Sequence, residues 1–343
     1  MKAVLYYGPQ DIRFENTMIK PLSDGEILVK VEAALTCGTD VKTFRRGHPV
    51  LIKNIPSGFG HEFAGIVEKV SESVKNVKVG DRVVCANSAP CGDCFHCKRE
   101  EYNLCENLDL LNGAYAEFIV VPARIVEKNT LIVPKTLPLE KAAFCEPLAN
   151  VVHGAERTNI KPGDTVGIIG IGPIGLMFAR VAKLKGAKVI VAGRNKEKLR
   201  LAEEFAYADE VVDLNKYPNP EKIFRDFSYE KKGLDIVIEC VGLPEIWELA
   251  FSCVRKGGTV HFFGGCKSGS SVNLDTTKMH YGDIKILSVF HHTPKYFRQA
   301  LDLIASGDIE VEKLITDTLP LEKVEYAMEQ HIAGNAIKFL IKP

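Results

Sequence analysis

A glycine turn between an apolar strand and an amphipathic helix constrains the fold of this chain more than any other feature. The stretch TVGIIGIGPIGLMFARVAKLKGAKVIVAGRN carries Gly170, Gly172 and Gly175 in the spacing GxGxxG. The pattern alone is weak, but here it follows a buried strand and opens a helix. The three glycines suit a tight turn, close approach of the main chain to a pyrophosphate, and close helix packing. We therefore expect a dinucleotide site on a parallel sheet, in preference to a turn without a ligand.

The end of the second strand favours one dinucleotide over another. About twenty residues after the glycine turn, an acidic residue normally binds the ribose of NAD. That place holds Gly193, followed by Arg194. A small residue beside an arginine leaves room and positive charge for a 2′-phosphate, so NADP is favoured over NAD; the alternative is that Arg194 is a solvated surface residue. The predicted cofactor-binding residues are Gly170, Gly172, Pro173, Ile174, Gly175, Gly193 and Arg194.

Length and charge limit the possible classes of protein. The 343 residues exceed the usual size of a single core, so we expect two domains. The 44 basic and 44 acidic residues cancel, which disfavours nucleic acid and anionic lipid as partners, including a nucleic-acid binder built on zinc. We find no signal peptide and no apolar run of about 18 residues, and we expect a cytoplasmic protein.

The sequence pattern changes near Leu139, where the stretch LEKAAFCEPLANVVHGAERT spaces its apolar residues as a helix would, and the first domain is predicted to end at residue 150. Before it, short apolar runs such as ILVKVEAAL and EFAGIVEKV alternate with turn residues, which predicts a β-rich domain over residues 1–150. Strands then alternate with helices such as PEIWELAFSCVRKGG, which predicts a doubly wound α/β domain over residues 151–289. Residues 290–343 form a remaining segment.

Four cysteines lie within the stretch PCGDCFHCKREEYNLC. Cys91, Cys94, Cys97 and Cys105 supply enough thiolates to close a tetrahedral structural zinc site. Disulfides are unattractive in a reducing compartment, and iron–sulfur ligation is the serious alternative. His96 lies inside the loop, but a fifth ligand is not needed.

A second set of soft and borderline ligands is dispersed along the chain. Cys37 offers a thiolate, His61 an imidazole, and the stretch FCEPLAN offers either Cys145 or Glu146. Three protein ligands with an open fourth position are typical of catalytic zinc. Taken singly, a cysteine or histidine of this kind is more often a residue of the core.

Five motifs occur in order along the chain: CGTD, GHEFAG, the four-cysteine stretch, EPLANVVHGA and GIGPIG. With these motifs the chain resembles, over nearly its whole length, the zinc-dependent medium-chain dehydrogenases, and within them the sorbitol and threonine dehydrogenase branch. The resemblance implies an N-terminal GroES-like catalytic domain, a Rossmann domain, and a C-terminal segment that completes the catalytic domain.

The resemblance also implies roles for single residues. Cys37, His61 and Glu146 would bind the catalytic zinc, with Glu62 binding directly or through water and Cys145 as the rival of Glu146. Thr39 would pass the substrate proton outward. Asp40 would orient the zinc ligands.

The implied activity is hydride transfer between a secondary alcohol or polyol and a nicotinamide cofactor, giving the ketone. The alternative is an L-threonine or other amino-alcohol dehydrogenase, although Thr43 and Phe44 differ from the H-I-Y pattern of threonine dehydrogenases. Enzymes of this branch form dimers or tetramers, so the resemblance implies a homo-oligomer that acts on a small molecule.

Overall fold

The chain forms two compact units in a computed structural model that describes residues 1–48, 51–217 and 219–343. The first unit contains residues 1–149 and 292–343, and the second contains residues 150–291. The sequence predicts the corresponding boundaries at residues 150 and 289. Among the described residues, no helix is both long and apolar enough to cross a membrane.

In the first unit, runs of consecutive strands are interrupted by a few helices, whereas strands and helices alternate in the second unit. The strands are β1 (Lys2–Gly8), β2 (Asp11–Asn16), β3 (Ile27–Leu35), β4 (Ser57–Gly58), β5 (Glu62–Val70), β6 (Arg82–Cys85), β7 (Ser88–Ala89), β8 (Asp109–Leu110), β9 (Phe118–Val121), β10 (Thr130–Ile132), β11 (Thr165–Ile169), β12 (Lys188–Gly193), β13 (Glu210–Asp213), β14 (Leu234–Glu239), β15 (Val254–Phe262), β16 (Lys285–Leu287), β17 (Ile315–Pro320) and β18 (Lys338–Lys342). The helices are α1 (Gly38–Arg46), α2 (Ala123–Asn129), α3 (Leu139–Ala142), α4 (Cys145–Thr158), α5 (Pro173–Leu184), α6 (Lys196–Glu204), α7 (Pro220–Phe227), α8 (Pro244–Cys253), α9 (Thr276–Tyr281), α10 (Pro294–Ala305) and α11 (Val324–Ile332).

The main sheet of the first unit is mixed, with strand order β10-β6-β5-β3-β18-β17, and β9 also pairs with β3. The two runs ILVKVEAAL and EFAGIVEKV coincide with β3 and β5, which confirms the strand prediction. Seven of the nine residues of β3 are buried, and Ile27, Val29, Val31 and Ala34 among them belong to the hydrophobic core of this unit. Strand β3 is therefore the centre of this unit.

The end of β3 is where the candidate site is assembled. Leu35, its last residue, pairs with Glu62 of β5 on one side and with Leu340 of β18 on the other. Cys37 follows two residues later and caps the N-terminus of α1. Side chains from three separate segments of the sequence thus meet at one point.

The sheet of the second unit is parallel, with strand order β13-β12-β11-β14-β15-β16 among the described residues. This is the doubly wound order of the Rossmann fold, so the predicted fold class is confirmed. The predicted helix PEIWELAFSCVRKGG is only partly right, because α8 ends at Cys253 and the next residues belong to β15. Burial of Val254 in the core beside Leu234 outweighs helix continuation.

Candidate active site and metal centres

Cys37, His61 and Glu62 form a compact group in the first unit. One ligand atom from each lies within 4.8 Å of the others. Cys37 caps the start of α1, Glu62 is the first residue of β5, and His61 directly precedes it. A thiolate, an imidazole and a carboxylate are ligands that zinc accepts. The residues that the sequence assigned to one metal are therefore brought together, except for Glu146.

The imidazole of His61 is oriented by a buried carboxylate. Nδ1 of His61 lies 2.9 Å from Oδ1 of Asp40, and the Tyr115 hydroxyl donates to Oδ2 of Asp40 at 2.5 Å. Burial alone lowers the pKa of His61, but the charges of Asp40 and Cys37 raise it well above its usual value. With Nδ1 committed to Asp40, Nε2 is the nitrogen left to bind a metal.

Glu62 has a partner that the sequence analysis missed. The ammonium group of Lys338, on β18, donates to Oε2 of Glu62 and to the main-chain oxygen of Thr36, the latter at 2.8 Å. Both side chains are buried, with 1% exposure for Lys338 and none for Glu62. A lysine inside the apolar run AIKFLIKP was the available signal, because lysine is almost never fully buried without a partner.

The second oxygen of Glu62 fits a metal. Among the described residues, Oε1 is buried and has no hydrogen-bond partner. A buried carboxylate oxygen without a partner is costly unless something absent from the protein chain binds it. Burial and the nearby charge of Glu146 raise the pKa of Glu62 to about 7, against the lowering effect of Lys338. A divalent cation beside Oε1 would favour the charged form.

Glu146 lies outside the three-residue group. It stands in the first turn of α4, and its Oε1 is 3.7 Å from Nε2 of His292, which lies 3.0 Å from Oδ1 of Asn87. Its charge nevertheless acts on Glu62. The charge that acts on the thiol of Cys145 is instead that of Asp302, and that thiol has a pKa raised well above its usual value, mainly by burial.

Thr39 occupies the first turn of α1, two residues after Cys37. Its main-chain N–H donates to Sγ of Cys37 at 3.5 Å, and its carbonyl accepts from the hydroxyl of Thr43 at 2.8 Å. The side chain is half-buried. The helix start therefore places this hydroxyl next to a candidate metal ligand.

The four cysteines of the loop also converge. Their sulfur atoms all lie within 4.8 Å of one another, with 3.9 Å between Cys91 and Cys97 and 3.9 Å between Cys94 and Cys105. Zinc–sulfur bonds of about 2.3 Å in a tetrahedron require sulfur separations of about 3.8 Å. Main-chain N–H groups lower the pKa of Cys94 to about 6. The loop thus fits a metal bound by four thiolates, and His96 instead lies 2.9 Å from Glu101.

The glycine turn has the geometry expected of a dinucleotide site. Gly170 has φ of 111°, a left-handed conformation that disfavours other residues. A Cβ at Gly175 would lie 1.9 Å from the carbonyl oxygen of Gly170, so only glycine lets α5 approach β11. Gly172 caps α5, with Pro173 as its first residue and Ile174 as its second. Apart from its chain neighbours, no described residue has an atom within 4 Å of the point where a Cβ at Gly172 would lie. The N-terminal amides of a twelve-residue helix are thus available to a pyrophosphate.

Comparison with known proteins identifies the family. Residues 23–135 match the alcohol dehydrogenase GroES-like domain, and residues 173–306 match the zinc-binding dehydrogenase domain. The chain is 31% identical to sorbitol dehydrogenase of Bacillus subtilis (strain 168), over all of this chain and 97% of that protein. The chain belongs to the zinc-binding dehydrogenases.

Two further comparisons support this dehydrogenase assignment. The chain is 31% identical to D-arabinitol dehydrogenase 1 of Uromyces fabae, over 100% of this chain and 97% of that protein. A solved structure from Sinorhizobium meliloti 1021, bound to NADP, is 33% identical over 100% of this dehydrogenase and 99% of that chain, with a TM-score of 0.92. The predicted resemblance to the medium-chain family is confirmed.

Proposed function

We propose that this zinc-binding dehydrogenase transfers a hydride between a polyol or other secondary alcohol and a nicotinamide cofactor, giving the ketone. The observation that carries the proposal is the group of Cys37, His61 and Glu62, in which one buried carboxylate oxygen has no partner among the described residues. The names of both relatives, which are polyol dehydrogenases, support the substrate class. L-threonine is the alternative, and no contact in the site favours it.

Each residue of the group has a distinct task in this proposal. Cys37, His61 and Glu62 would hold the catalytic zinc, with Glu146 as a further ligand supplied from α4. Zinc, when bound, supplies Lewis-acid polarisation of the alcohol or ketone oxygen. Asp40 holds the His61 ring with Nε2 free, and Lys338 holds one oxygen of Glu62.

Thr39 is the proposed proton carrier. Its hydroxyl would accept the proton of the substrate alcohol and pass it towards solvent, so that the hydride leaves from the carbon that bears the negatively charged oxygen. The main-chain bond from Thr39 to Cys37 Sγ fixes this residue beside the metal ligands. The glycine turn at Gly172 would hold the pyrophosphate of the cofactor and so orient its nicotinamide.

We favour NADP as the cofactor. A Cβ at Gly193 would lie 2.3 Å from the side chain of Ile171, so an acidic residue would fit there only if Ile171 moved. The space that the sequence predicted beside Gly193 is therefore occupied by Ile171 on the side where a Cβ would point. Arg194 is exposed just beyond it, and Lys198 on α6 is half-buried, with a pKa lowered by burial. Two cationic side chains after β12 suit a 2′-phosphate.

The loop of four cysteines would hold the second, structural zinc. Four thiolates leave no open position, so this metal would serve the fold and not the chemistry. Free thiols persist in a reducing compartment, which supports the predicted cytoplasmic location. We also propose a homodimer or homotetramer, supported by exposed apolar side chains at and near the edge strand β16, among them Ile286 and Tyr281. Light scattering of the purified protein tests this assembly.

The test of function is turnover with a panel of substrates. Polyols, secondary alcohols and threonine are each offered with NAD and with NADP while the absorbance of the reduced nicotinamide is followed. The expected result is turnover with a polyol or secondary alcohol that a chelator abolishes and added zinc restores. Turnover that survives complete removal of metal would contradict the proposal. Absence of turnover in zinc-loaded protein that binds dinucleotide would also contradict it.

A further inference from the structure

A short helix lies against the loop of four cysteines and contacts both of its ends. Lys128, near the end of α2, donates to the main-chain oxygens of Pro90 at 3.1 Å and Cys91 at 2.9 Å. Arg124, one turn earlier, donates to the main-chain oxygen of Asn107 at 2.8 Å. Neither residue is a metal ligand, and neither contact is needed to form α2 itself.

The contacts of Lys128 reach a sulfur atom through one peptide group. The Pro90 oxygen accepts from Lys128, while the N–H of the same peptide, on Cys91, donates to Sγ of Cys105 at 3.2 Å. In a trans peptide the C=O and N–H point in opposite directions, so fixing the oxygen fixes the direction of the N–H. Hydrogen-bonded groups of this kind also polarise one another. Lys128 therefore orients and strengthens an N–H donor to a candidate ligand.

Arg124 acts on the other end of the loop and on the same sulfur. The N–H of Asn107 donates to Sγ of Cys105 at 3.4 Å, and the carbonyl of Asn107 is held by Arg124. Arg124 also lies 3.5 Å from Asp109, which offsets part of its charge. Cys105 thus receives main-chain donors from both ends of the loop, and a cationic side chain of α2 holds each end.

The positive charges of Lys128 and Arg124 favour the metal-bound form of the four-cysteine loop. Four thiolates and one divalent cation leave a net charge of about −2 at the site. A cation within hydrogen-bond distance of the main chain of a ligand residue offsets this charge, and partners of metal ligands commonly change metal affinity by about 10- to 100-fold. Lys128 is half-buried, so solvent screens its charge only in part.

We propose that Lys128, assisted by Arg124, is a positioning residue that retains the metal in the four-cysteine loop by holding both ends of the loop and offsetting the charge of the site. The inference rests on the proposed structural zinc. It assigns to α2 a role in metal retention that is separate from its packing in the core.

The experiment measures metal loss directly. The protein carries Cys37→Ser, which removes the thiolate of the other candidate site, and is loaded with cobalt, whose thiolate charge-transfer absorbance reports the four-cysteine loop. Decay of this absorbance is followed after addition of a chelator. The variants are Lys128→Met and Lys128→Arg, and the matched control is Lys278→Met, because Lys278 is a part-buried lysine of the second unit that also donates to a main-chain oxygen.

We expect metal loss about tenfold faster in Lys128→Met, nearly unchanged in Lys128→Arg, and unchanged in the control. Equal rates in wild type and Lys128→Met would overturn the inference, as would equal acceleration by Lys278→Met. Fast loss in both Lys128 variants would overturn the charge role. If Lys128→Met does not fold, Arg124→Gln must accelerate loss by a smaller factor, or the inference fails.

The same experiment also tests separately whether the four-cysteine loop binds a metal at all. A wild-type loop that gives no thiolate absorbance with cobalt would remove the structural metal site, and the inference with it. That result is distinct from a wild-type loop that binds cobalt and loses it at a rate independent of Lys128.

Discussion

Buried ionisable side chains contact one another in the first unit, whereas in the second unit they contact neutral groups. Asp40 lies against His61 and Lys338 against Glu62, all four with little or no exposure. In the second unit, His261 bonds to the hydroxyl of Thr158 at 2.8 Å. Glu239 there accepts main-chain N–H groups at 2.5 and 2.7 Å.

This difference follows from what each unit is proposed to bind. A divalent cation with anionic ligands needs charges that are already paired and fixed before the metal arrives, because isolated buried charges are costly. A pyrophosphate can be bound by main-chain amides at a helix end, which are already polar and cost no buried ion. We therefore expect loss of a buried charged pair to be costly in the first unit, whereas the ion pairs of the second unit, such as that of Lys183 with Asp209, are partly exposed.

Loss of a thiolate from the charged group gives the largest expected effect. Cys37→Ser should lower kcat/KM by about a thousandfold or more, since metal polarisation contributes several kcal/mol. The protein should also lose one equivalent of zinc, measured by elemental analysis. The control is Cys145→Ser, which removes a buried thiol that lies outside the metal groups. If Cys145→Ser loses zinc and activity as well, Cys145 is the third ligand and Glu146 is not.

Removal of one partner from a buried pair should give the next largest effect. Lys338→Met removes the charge that lowers the pKa of Glu62, so this buried carboxyl group must either stay charged without a partner or take up a proton. Either way the free energy of unfolding should fall, by up to about 3–5 kcal/mol in denaturant titrations of the metal-free protein. Lys342 is the matched control, because it lies on the same strand and pairs with Glu140 but is 41% exposed. Lys342→Met should cost at most about 1 kcal/mol.

The double variant Lys338→Met with Glu62→Gln sharpens this test. Replacing the unpaired carboxylate with a neutral amide should recover part of the lost stability. No recovery would indicate that Lys338 contributes through packing, including its position 5.9 Å from the ring of Phe144, and not through charge.

Local patterns in the sequence predicted those parts of the site whose residues are neighbours in the chain. The spacing of Cys91, Cys94, Cys97 and Cys105 predicted their convergence, and the glycine turn predicted the strand–helix geometry around Gly170. In both cases the residues are close enough in the chain for local main-chain geometry to bring their atoms near one another. No long-range pairing had to be known.

The remaining contacts of the site depend on pairing between strands that are far apart in the sequence, and local patterns did not predict them. Lys338 meets Glu62 only because β18 and β5 both flank β3, with Leu35 opposite Leu340 and Glu62. Nothing near either residue in the sequence encodes that neighbourhood. The position of Glu146 outside the three-residue group likewise depends on where α4 begins, and the sequence predicted one helix across residues 139–158 where the structure has α3 and α4.

The neutral state of His261 predicts a pH dependence confined to the second unit. Thr158 donates its hydroxyl proton to the Gly154 carbonyl at 2.7 Å, so Nδ1 of His261 is the donor in their bond. Nε2 is buried with no hydrogen-bond partner among the described residues, and burial lowers the pKa of His261 to about 3. The unfolded chain takes up a proton below about pH 6.5, but the folded chain does not.

The stabilising contribution of neutral His261 is therefore complete above about pH 6.5 and is lost as the pH falls towards 3. At pH 5 the loss should be about 2 kcal/mol relative to pH 7. His261→Gln should remove this part of the pH dependence in denaturant titrations, whereas His280→Gln, an exposed change in the same unit, should not. An unchanged slope in His261→Gln would show that His261 does not carry the effect.

The smallest expected effect tests whether the second unit uses any side-chain charge for its ligand. Arg194→Gln should lower the ratio of kcat/KM for NADP to that for NAD by about tenfold, since one charge-assisted hydrogen bond to the 2′-phosphate is lost. The control is Arg200→Gln, because Arg200 is exposed on α6 and lies 3.6 Å from Glu204. A wild-type preference for NAD, or an unchanged ratio in Arg194→Gln, would mean that the second unit binds its dinucleotide through the glycine turn and neutral groups alone. The contrast between the two units would then extend to the ligand itself.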